Sequence, residues 1–329
     1  MATKLRLEIH RITLQRLVVK GKGKSWENCN FSELIDIFDK KDKQKALASL
    51  WTNFVQQFGD KFIINSDGDK AITVTANCQH TVSPRKNVIN GEVYGGPTNR
   101  EQSIYKQTDA KKSINKVAHD DVVSSNFYIK MWLPYDYSTG VLMIQSYTTS
   151  NISELVKVHF IKFVQKYQFR VVPTSFYPKE FMEKRNAKSN VVSVTYVKDK
   201  LNKGSLRLLN PIFAEFDELK VKVEVTGFRK SVKDFWQIFN KNGHKLGADI
   251  DQLEIKKDDD LTVMAKYVDE EGRETTMNLD QERIRNFAYY LLPDEVMLAG
   301  KNTYDFVEIS KHTDAILDTI KKEMRYDNE

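Results

Sequence analysis

The residues with the clearest catalytic potential are two carboxylates and a lysine near the middle of the chain. Glu218 and Lys220 stand at the start of a predicted strand, and Asp199 precedes Glu218 by 19 residues. Metal-dependent nucleases use such a set, because carboxylates hold Mg²⁺ while a lysine positions water or stabilises developing charge. The same spacing recurs at Glu254 and Lys256, as is common in strands with one wet face. A nuclease is therefore our third hypothesis.

The other short motifs lack essential parts. Gly23-Lys24-Ser25 resembles the end of a P-loop, but Val18 stands where that loop needs its first glycine. Cys78 and His80 could share a strand face as nucleophile and base, yet nothing marks an oxyanion hole. No histidine or cysteine spacing is typical of a zinc site. We expect no metal site and no cofactor.

Charge is distributed unevenly along the chain. Residues 1–210 contain 33 Lys and Arg against 19 Asp and Glu, whereas residues 211–329 contain 18 against 26. The basic excess is strongest over residues 151–210, with 12 basic and 4 acidic side chains. Such a surface attracts phosphate by counterion release. Lysines outnumber arginines 38 to 13, and because Lys lacks the planar fork of Arg, this favours backbone contacts over base readout.

Our leading hypothesis is a non-enzymatic protein that binds the nucleic-acid backbone with low sequence specificity. The predicted phosphate contacts are basic residues of the 151–210 segment: Lys157, Lys162, Lys166, Arg170, Lys184, Arg185 and Lys188. The acidic C-terminal part would bind a protein partner or a second copy of the chain. The alternative is a protein-interaction subunit of a multi-protein complex, for example a bacterial anti-phage system, although no residue motif identifies that context.

Aromatic residues are concentrated between residues 94 and 147. Exposed rings among lysines would form a stacking platform for single-stranded nucleic acid. Aromatic residues in strands more often fill a core, and we favour that interpretation here. The residues concerned are Tyr94, Tyr105, Phe127, Tyr128, Trp132, Tyr135, Tyr137 and Tyr147.

Hydrophobic periodicity predicts the elements that position these residues. It indicates a strand over residues 5–19 with a bulge at His10-Arg11, and a hairpin built from strands at 126–133 and 140–148. Amphipathic helices are predicted over residues 45–58 and 151–167.

Other segments give different patterns. The polar stretch of residues 79–122 predicts a long irregular segment, because its apolar residues show little periodicity. Towards the C-terminus we predict helices over 281–291 and 313–324, with a strand over 304–309 between them.

Length and composition indicate a globular α+β protein. The 329 residues are 40% apolar and 29% charged, which excludes a disordered or collagen-like chain. We expect mixed or antiparallel sheets, each covered by helices, in two domains. The change of charge near residue 210 places a soft boundary between a basic domain of residues 1–210 and an acidic one of residues 211–329.

Targeting features and cysteine usage favour the cytoplasm. The first ten residues include charged Lys4, Arg6 and Glu8, and no apolar stretch typical of a signal peptide follows. No apolar run approaches the roughly 20 residues that span a bilayer. Cys29 and Cys78 are the only cysteines, as expected in a reducing compartment. We therefore expect a cytoplasmic protein without membrane contact.

Overall fold

The structure is a computed structural model that describes residues 4–20, 23–75, 77–106, 108–148, 150–199, 203–216, 219–241, 261–268, 272, 274–278 and 289–326. Its strands are β1 (Leu5–Lys20), β2 (Gly23–Asn28), β3 (Ile63–Ile64), β4 (Lys70–Thr73), β5 (His80–Ser83), β6 (Val88–Pro97), β7 (Gln102–Lys106), β8 (Asp109–Val117), β9 (Ser125–Trp132), β10 (Thr139–Tyr147), β11 (Phe169–Ser175), β12 (Asn190–Lys198), β13 (Val221–Ser231), β14 (Leu261–Val268), β15 (Glu274–Asn278) and β16 (Tyr290–Leu291). Its α-helices are α1 (Phe31–Ile35), α2 (Lys43–Gln56), α3 (Ser153–Gln165), α4 (Lys179–Lys188), α5 (Lys203–Leu209), α6 (Val232–Lys241) and α7 (Phe306–Glu323).

Helices and antiparallel sheets make this an α+β fold. All strand pairs among the described residues are antiparallel. Contacts divide the chain into two compact units: residues 1–176 with 288–329, and residues 177–287. The charge-based boundary near residue 210 lies inside the second unit. None of the described helices is long and apolar enough to cross a membrane.

The first unit is built on a large sheet with the strand order β11-β1-β10-β9-β6-β4-β3, so β11 lies at one edge. Strand β1 pairs along its length with β10, β11, β2 and β16. Its register with β10 and β11 runs without a shift, so the bulge predicted at His10-Arg11 is wrong. The residues there keep the regular alternation of faces that a continuous ladder imposes.

Helices α2 and α3 form where the apolar spacing predicted them. The Asp42 carboxylate caps α2 by accepting hydrogen bonds from the backbone N–H groups of Gln44 and Lys45. The buried stripe of α2 packs on that of α3, and the ring of Phe54 contacts those of Phe160 and Phe163 at centroid distances of 6.1 and 5.6 Å.

The start of α3 is attached to β1 by a buried polar cluster. The Glu8 carboxylate accepts hydrogen bonds from Asn151 Nδ2 at 2.6 Å and Ser153 Oγ at 2.7 Å, and His10 Nε2 lies 3.4 Å from it. Burial acts to raise the pKa of Glu8, but these partners outweigh it and lower that pKa. The cluster therefore favours an ionised Glu8 and fixes α3 on one face of the sheet.

Helix α7 is attached to strand β9. The Tyr128 hydroxyl lies 2.9 Å from Thr313 Oγ1, and Lys130 Nζ donates to the Asp314 carboxylate and, at 3.1 Å, to the Ser310 carbonyl. The strand predicted over residues 304–309 is wrong, because α7 already begins at Phe306. The Asp305 carboxylate causes this start: it accepts hydrogen bonds from two N–H groups of the first turn.

The polar stretch of residues 79–122, predicted as irregular, contains four strands. Strand β6 pairs with β4, β5 and β9 and is almost wholly buried. Strands β7 and β8 form a separate two-stranded ribbon. These polar strands are paired through backbone hydrogen bonds, which do not depend on the side chains. Their sequences therefore show little of the hydrophobic periodicity by which a strand is predicted.

Of the aromatic residues between 94 and 147, several form the core. Phe127, Tyr128, Trp132 and Tyr147 are buried, whereas Tyr105 and Tyr137 are exposed. The core interpretation is confirmed for the four buried rings.

The second unit has its own sheet, with the order β13-β12-β14-β15. Its core comprises Val191, Val194, Val232, Val263, Ala265 and Tyr267. In this sheet β14 pairs antiparallel with β15. Residues 281–288 of the helix predicted over 281–291 lie outside the described residues, and Tyr290–Leu291 forms β16.

Candidate nucleic-acid interface

Two of the predicted cations lie one helical turn apart at the C-terminal end of α3. Lys162 and Lys166 are exposed, and neither forms an ion pair with any other described residue. Burial, and next the positive charges of Lys162 and Lys166, lower the pKa of His159. The two ammonium groups therefore create a local positive potential that no described anion neutralises at contact distance.

Arg170 lies on the edge strand β11 and is held by a ladder of polar side chains. Its Nε donates to Gln15 Oε1 at 2.6 Å, and Gln15 Nε2 donates to Asn28 Oδ1 at 2.8 Å. The Arg170 guanidinium lies 4.8 Å from the ring centroid of the half-buried Trp26, a cation–π geometry. Three strands, β11, β1 and β2, thus fix the orientation of this guanidinium.

The sheet separates Arg170 from the body of α3. Glu8 contacts the start of α3, and Gln15 contacts Arg170. Because Glu8 and Gln15 are seven residues apart on the regular strand β1, their side chains point to opposite faces of the sheet. Lys166 and Arg170 are four positions apart in the sequence, so their Cα atoms are at most about 14 Å apart. Lys162, Lys166 and Arg170 therefore lie around one edge of the sheet, which we call the basic edge.

The other four predicted cations belong to an earlier turn of α3 or to the second unit. Lys157 is mostly buried, with 12% of its side chain exposed, and pairs with Glu154. Lys184, Arg185 and Lys188 belong to α4 of the second unit. Lys184 is exposed and pairs with Glu180 at 2.6 Å, which reduces its availability to a phosphate.

The candidate nuclease residues are only partly described. Asp199 and Lys220 flank paired residues of β12 and β13 and form an exposed ion pair of 3.1 Å. Glu218 lies outside the described residues. Among the residues whose placement is described, no three His, Cys, Asp or Glu side chains are grouped so that they could hold a metal ion.

The two thiols are buried and free of disulfides. Burial raises the pKa of Cys78, and burial followed by the nearby Glu33 raises that of Cys29 to about 11. The ring of His80 lies beside that of Trp51, with centroids 6.0 Å apart. A nucleophilic cysteine needs the opposite shift.

No protein-family model, curated protein or solved structure matches this chain. The site is thus described by its own geometry alone.

Sequence reasoning missed Trp26 and Gln15 as parts of this surface. The only local signal was an aromatic residue shortly after the basic sequence Lys20-Gly21-Lys22-Gly23-Lys24. Its contact with Arg170 depends on β1 pairing with both β2 and β11, which are far apart in sequence.

Proposed function

We propose that this chain is a non-enzymatic cytoplasmic protein that binds the nucleic-acid backbone with low sequence specificity through its basic edge. Lys162, Lys166 and Arg170 supply the phosphate contacts. The proposal rests mainly on one observation: Lys162 and Lys166 are exposed, one turn apart, and without an ion-pair partner among the described residues. The two buried free thiols are consistent with a reducing compartment.

Two physical features support a phosphate ligand. A pair of lysines at a helix end presents two flexible point charges, which suit a polyanion whose charges repeat along a chain. The oriented guanidinium of Arg170 adds a planar donor close to them in sequence, and Arg favours bidentate phosphate geometry. Phosphate contacts of this kind position a nucleic acid without reading its sequence.

Fluorescence anisotropy with labelled single-stranded DNA, duplex DNA and RNA tests the proposal. For single strands, log affinity falls by about 0.7 per log unit of salt for each contacted phosphate. The double variant Lys162→Glu/Lys166→Glu should therefore bind more weakly and lower this slope by about 1.4.

The matched control is Lys301→Glu/Lys311→Glu, which changes the net charge equally at exposed positions of the same unit. It should keep most of the affinity and the wild-type slope. Equal losses in the two double variants would show a general charge effect and contradict a localised interface. Absence of salt-dependent binding to all three probes would overturn the proposed function and favour a protein partner.

A further inference from the structure

One face of the β1–β2 hairpin combines exposed apolar side chains with cations. Register pairs Leu17 with Trp26 and Val19 with Lys24, so these four side chains share a face. Arg170 reaches the same face through its contact with Gln15. Leu17 is 36% and Val19 63% exposed. We call Leu17, Val19, Lys24, Trp26 and Arg170 the Trp26 surface.

The charged residues of the Trp26 surface are all positive. Lys24 and Arg170 are its ionisable members, and the flanking Gln15 and Asn28 are neutral. Glu27 is opposite Arg16 in the ladder and therefore lies on the other face of the hairpin. An anionic ligand with flat apolar parts complements such a surface in charge and in polarity.

Trp26 and Arg170 already form a cation–π pair. The guanidinium lies 4.8 Å from the indole centroid, and the hydrogen bonds of Gln15 to Arg170 and to Asn28 hold it there. Nucleobases stack on aromatic side chains and on Arg guanidinium planes alike. Little ordering is then required when a base is added, because the pair is oriented in advance.

We propose that the Trp26 surface binds single-stranded nucleic acid by stacking an unpaired base on Trp26, while Lys24 and Arg170 contact the adjacent phosphates. This deepens the proposed function and rests on it. A duplex keeps the faces of its bases inside its own stack, so it can use the phosphate contacts but not the indole. The chain should therefore prefer a single strand over a duplex of equal length.

The test compares wild type, Trp26→Ala and Trp26→Phe by anisotropy, with labelled 20-nucleotide dT and a 20-base-pair duplex. Trp26→Ala should weaken single-strand binding by about 5- to 150-fold and leave duplex binding nearly unchanged. Trp26→Phe should keep most of the single-strand affinity, since it retains a ring. Tyr105→Ala, which removes another exposed ring of the same unit, is the matched control and should bind as wild type does.

A label-free measurement covers the case in which Trp26→Ala fails to fold. Trp51 and Trp132 are buried, whereas Trp26 and Trp236 are half-buried, so comparison with Trp26→Phe identifies the part of the quenching that comes from Trp26. Adding dT to wild type should lower tryptophan fluorescence, and the change should be lost in Trp26→Phe. An abasic chain of equal length should not quench either protein.

Two outcomes overturn the stacking proposal and are distinguishable from each other. Salt-dependent binding with equal affinity for both probes, or equal losses on both probes in Trp26→Ala, would reject stacking and leave the proposed backbone binding intact. Absence of binding to both probes would reject the two proposals together, and the exposed Leu17 and Val19 would then indicate an apolar protein partner.

Discussion

Replacing the buried Lys130 by methionine should stabilise the first unit. The Lys130 side chain is fully buried, and its partner Asp314 is 38% exposed and also lies 3.6 Å from Lys86. Burial lowers the pKa of Lys130 from 10.5 to about 8, and the opposing effect of Asp314 only partly compensates for it. The folded protein therefore holds this ammonium group at a net cost.

The size of that cost follows from the shift in pKa. A decrease of about 2.5 units at about 1.36 kcal/mol per unit gives about 3 kcal/mol at pH 7, where Lys130 is charged in both states. Between pH 8 and 10.5 the unfolded state binds more protons at Lys130 than the folded state does, so the contribution of this group to stability rises with pH in this window. Lys130→Met removes the charge, and it should raise the free energy of unfolding at pH 7 by up to about 3 kcal/mol.

Urea unfolding at pH 7, 8, 9 and 9.5 measures this effect. The difference in stability between wild type and Lys130→Met should shrink as pH rises above 8. The buried thiols of Cys29 and Cys78, whose raised pKa gives the opposite pH trend, are present in both proteins and cancel in this difference. The range stops at pH 9.5 because burial raises the pKa of Tyr128 and Tyr304, whose titration would contribute at higher pH with the opposite sign.

The converse variant sharpens the test. Asp314→Ala leaves the buried ammonium without its anion, and it should lower the free energy of unfolding by on the order of 3 kcal/mol. A Lys130→Met protein less stable than wild type at pH 7, or a difference independent of pH, would refute the reasoning.

Three further predictions concern the same unit. Glu8→Gln should lower the free energy of unfolding at pH 7 by about 1–3 kcal/mol. Because the pKa of Glu8 is lowered on folding, wild type should lose this advantage as pH falls below 4.5. Urea unfolding of both proteins at pH 3 to 7 measures the difference, and a difference that does not change with pH would contradict the prediction. Native Cys29, with a pKa of about 11, should react with iodoacetamide at pH 8 about 100-fold more slowly than a thiol of pKa 9, because only the thiolate reacts. Cys78, whose pKa is also raised, should react slowly too. Mass spectrometry should detect rapid labelling of both thiols only after unfolding, and rapid labelling of the native protein would contradict the prediction. Gly96→Ala should lower the thermal midpoint, because its Cβ would lie 2.0 Å from the Val123 carbonyl oxygen; a midpoint equal to that of wild type would show that the backbone moves easily there.

Sequence patterns predict the elements whose burial is strongly periodic. Helix α3 and its stripe, including Phe160 and Phe163, follow from apolar residues at helical spacing. The β9–β10 hairpin is likewise confirmed, and β10 is buried on both faces as its continuous apolar run predicts. These elements combine a clear period with a clear core face.

The errors arise where local and tertiary signals conflict. Tyr304 and Phe306 alternate as in a strand, but Asp305 with Glu308 three residues later is a helix start signal, and that signal prevails. Among the side chains of β7 and β8 that the structure describes none is buried, and Tyr105 and Ile114 are exposed, so these residues show no hydrophobic period to detect.

The candidate site was predictable in part. Lys162 and Lys166 follow from charge and helical spacing, because both can be placed within one element. The contact between Arg170 and Trp26 could not be predicted, since it requires the register of β1 with both β2 and β11. Pairing of strands distant in sequence leaves no mark in either segment alone.

The most direct test of the central claim is the salt dependence of single-strand binding, measured by anisotropy at 50 and 200 mM salt. Three phosphate contacts predict an affinity about 20-fold lower at the higher salt concentration. The triple variant Lys162→Glu/Lys166→Glu/Arg170→Glu should bind much more weakly and lose most of this dependence. Flat titrations of the wild type at both salt concentrations, or a triple variant that binds as wild type does, would contradict the account.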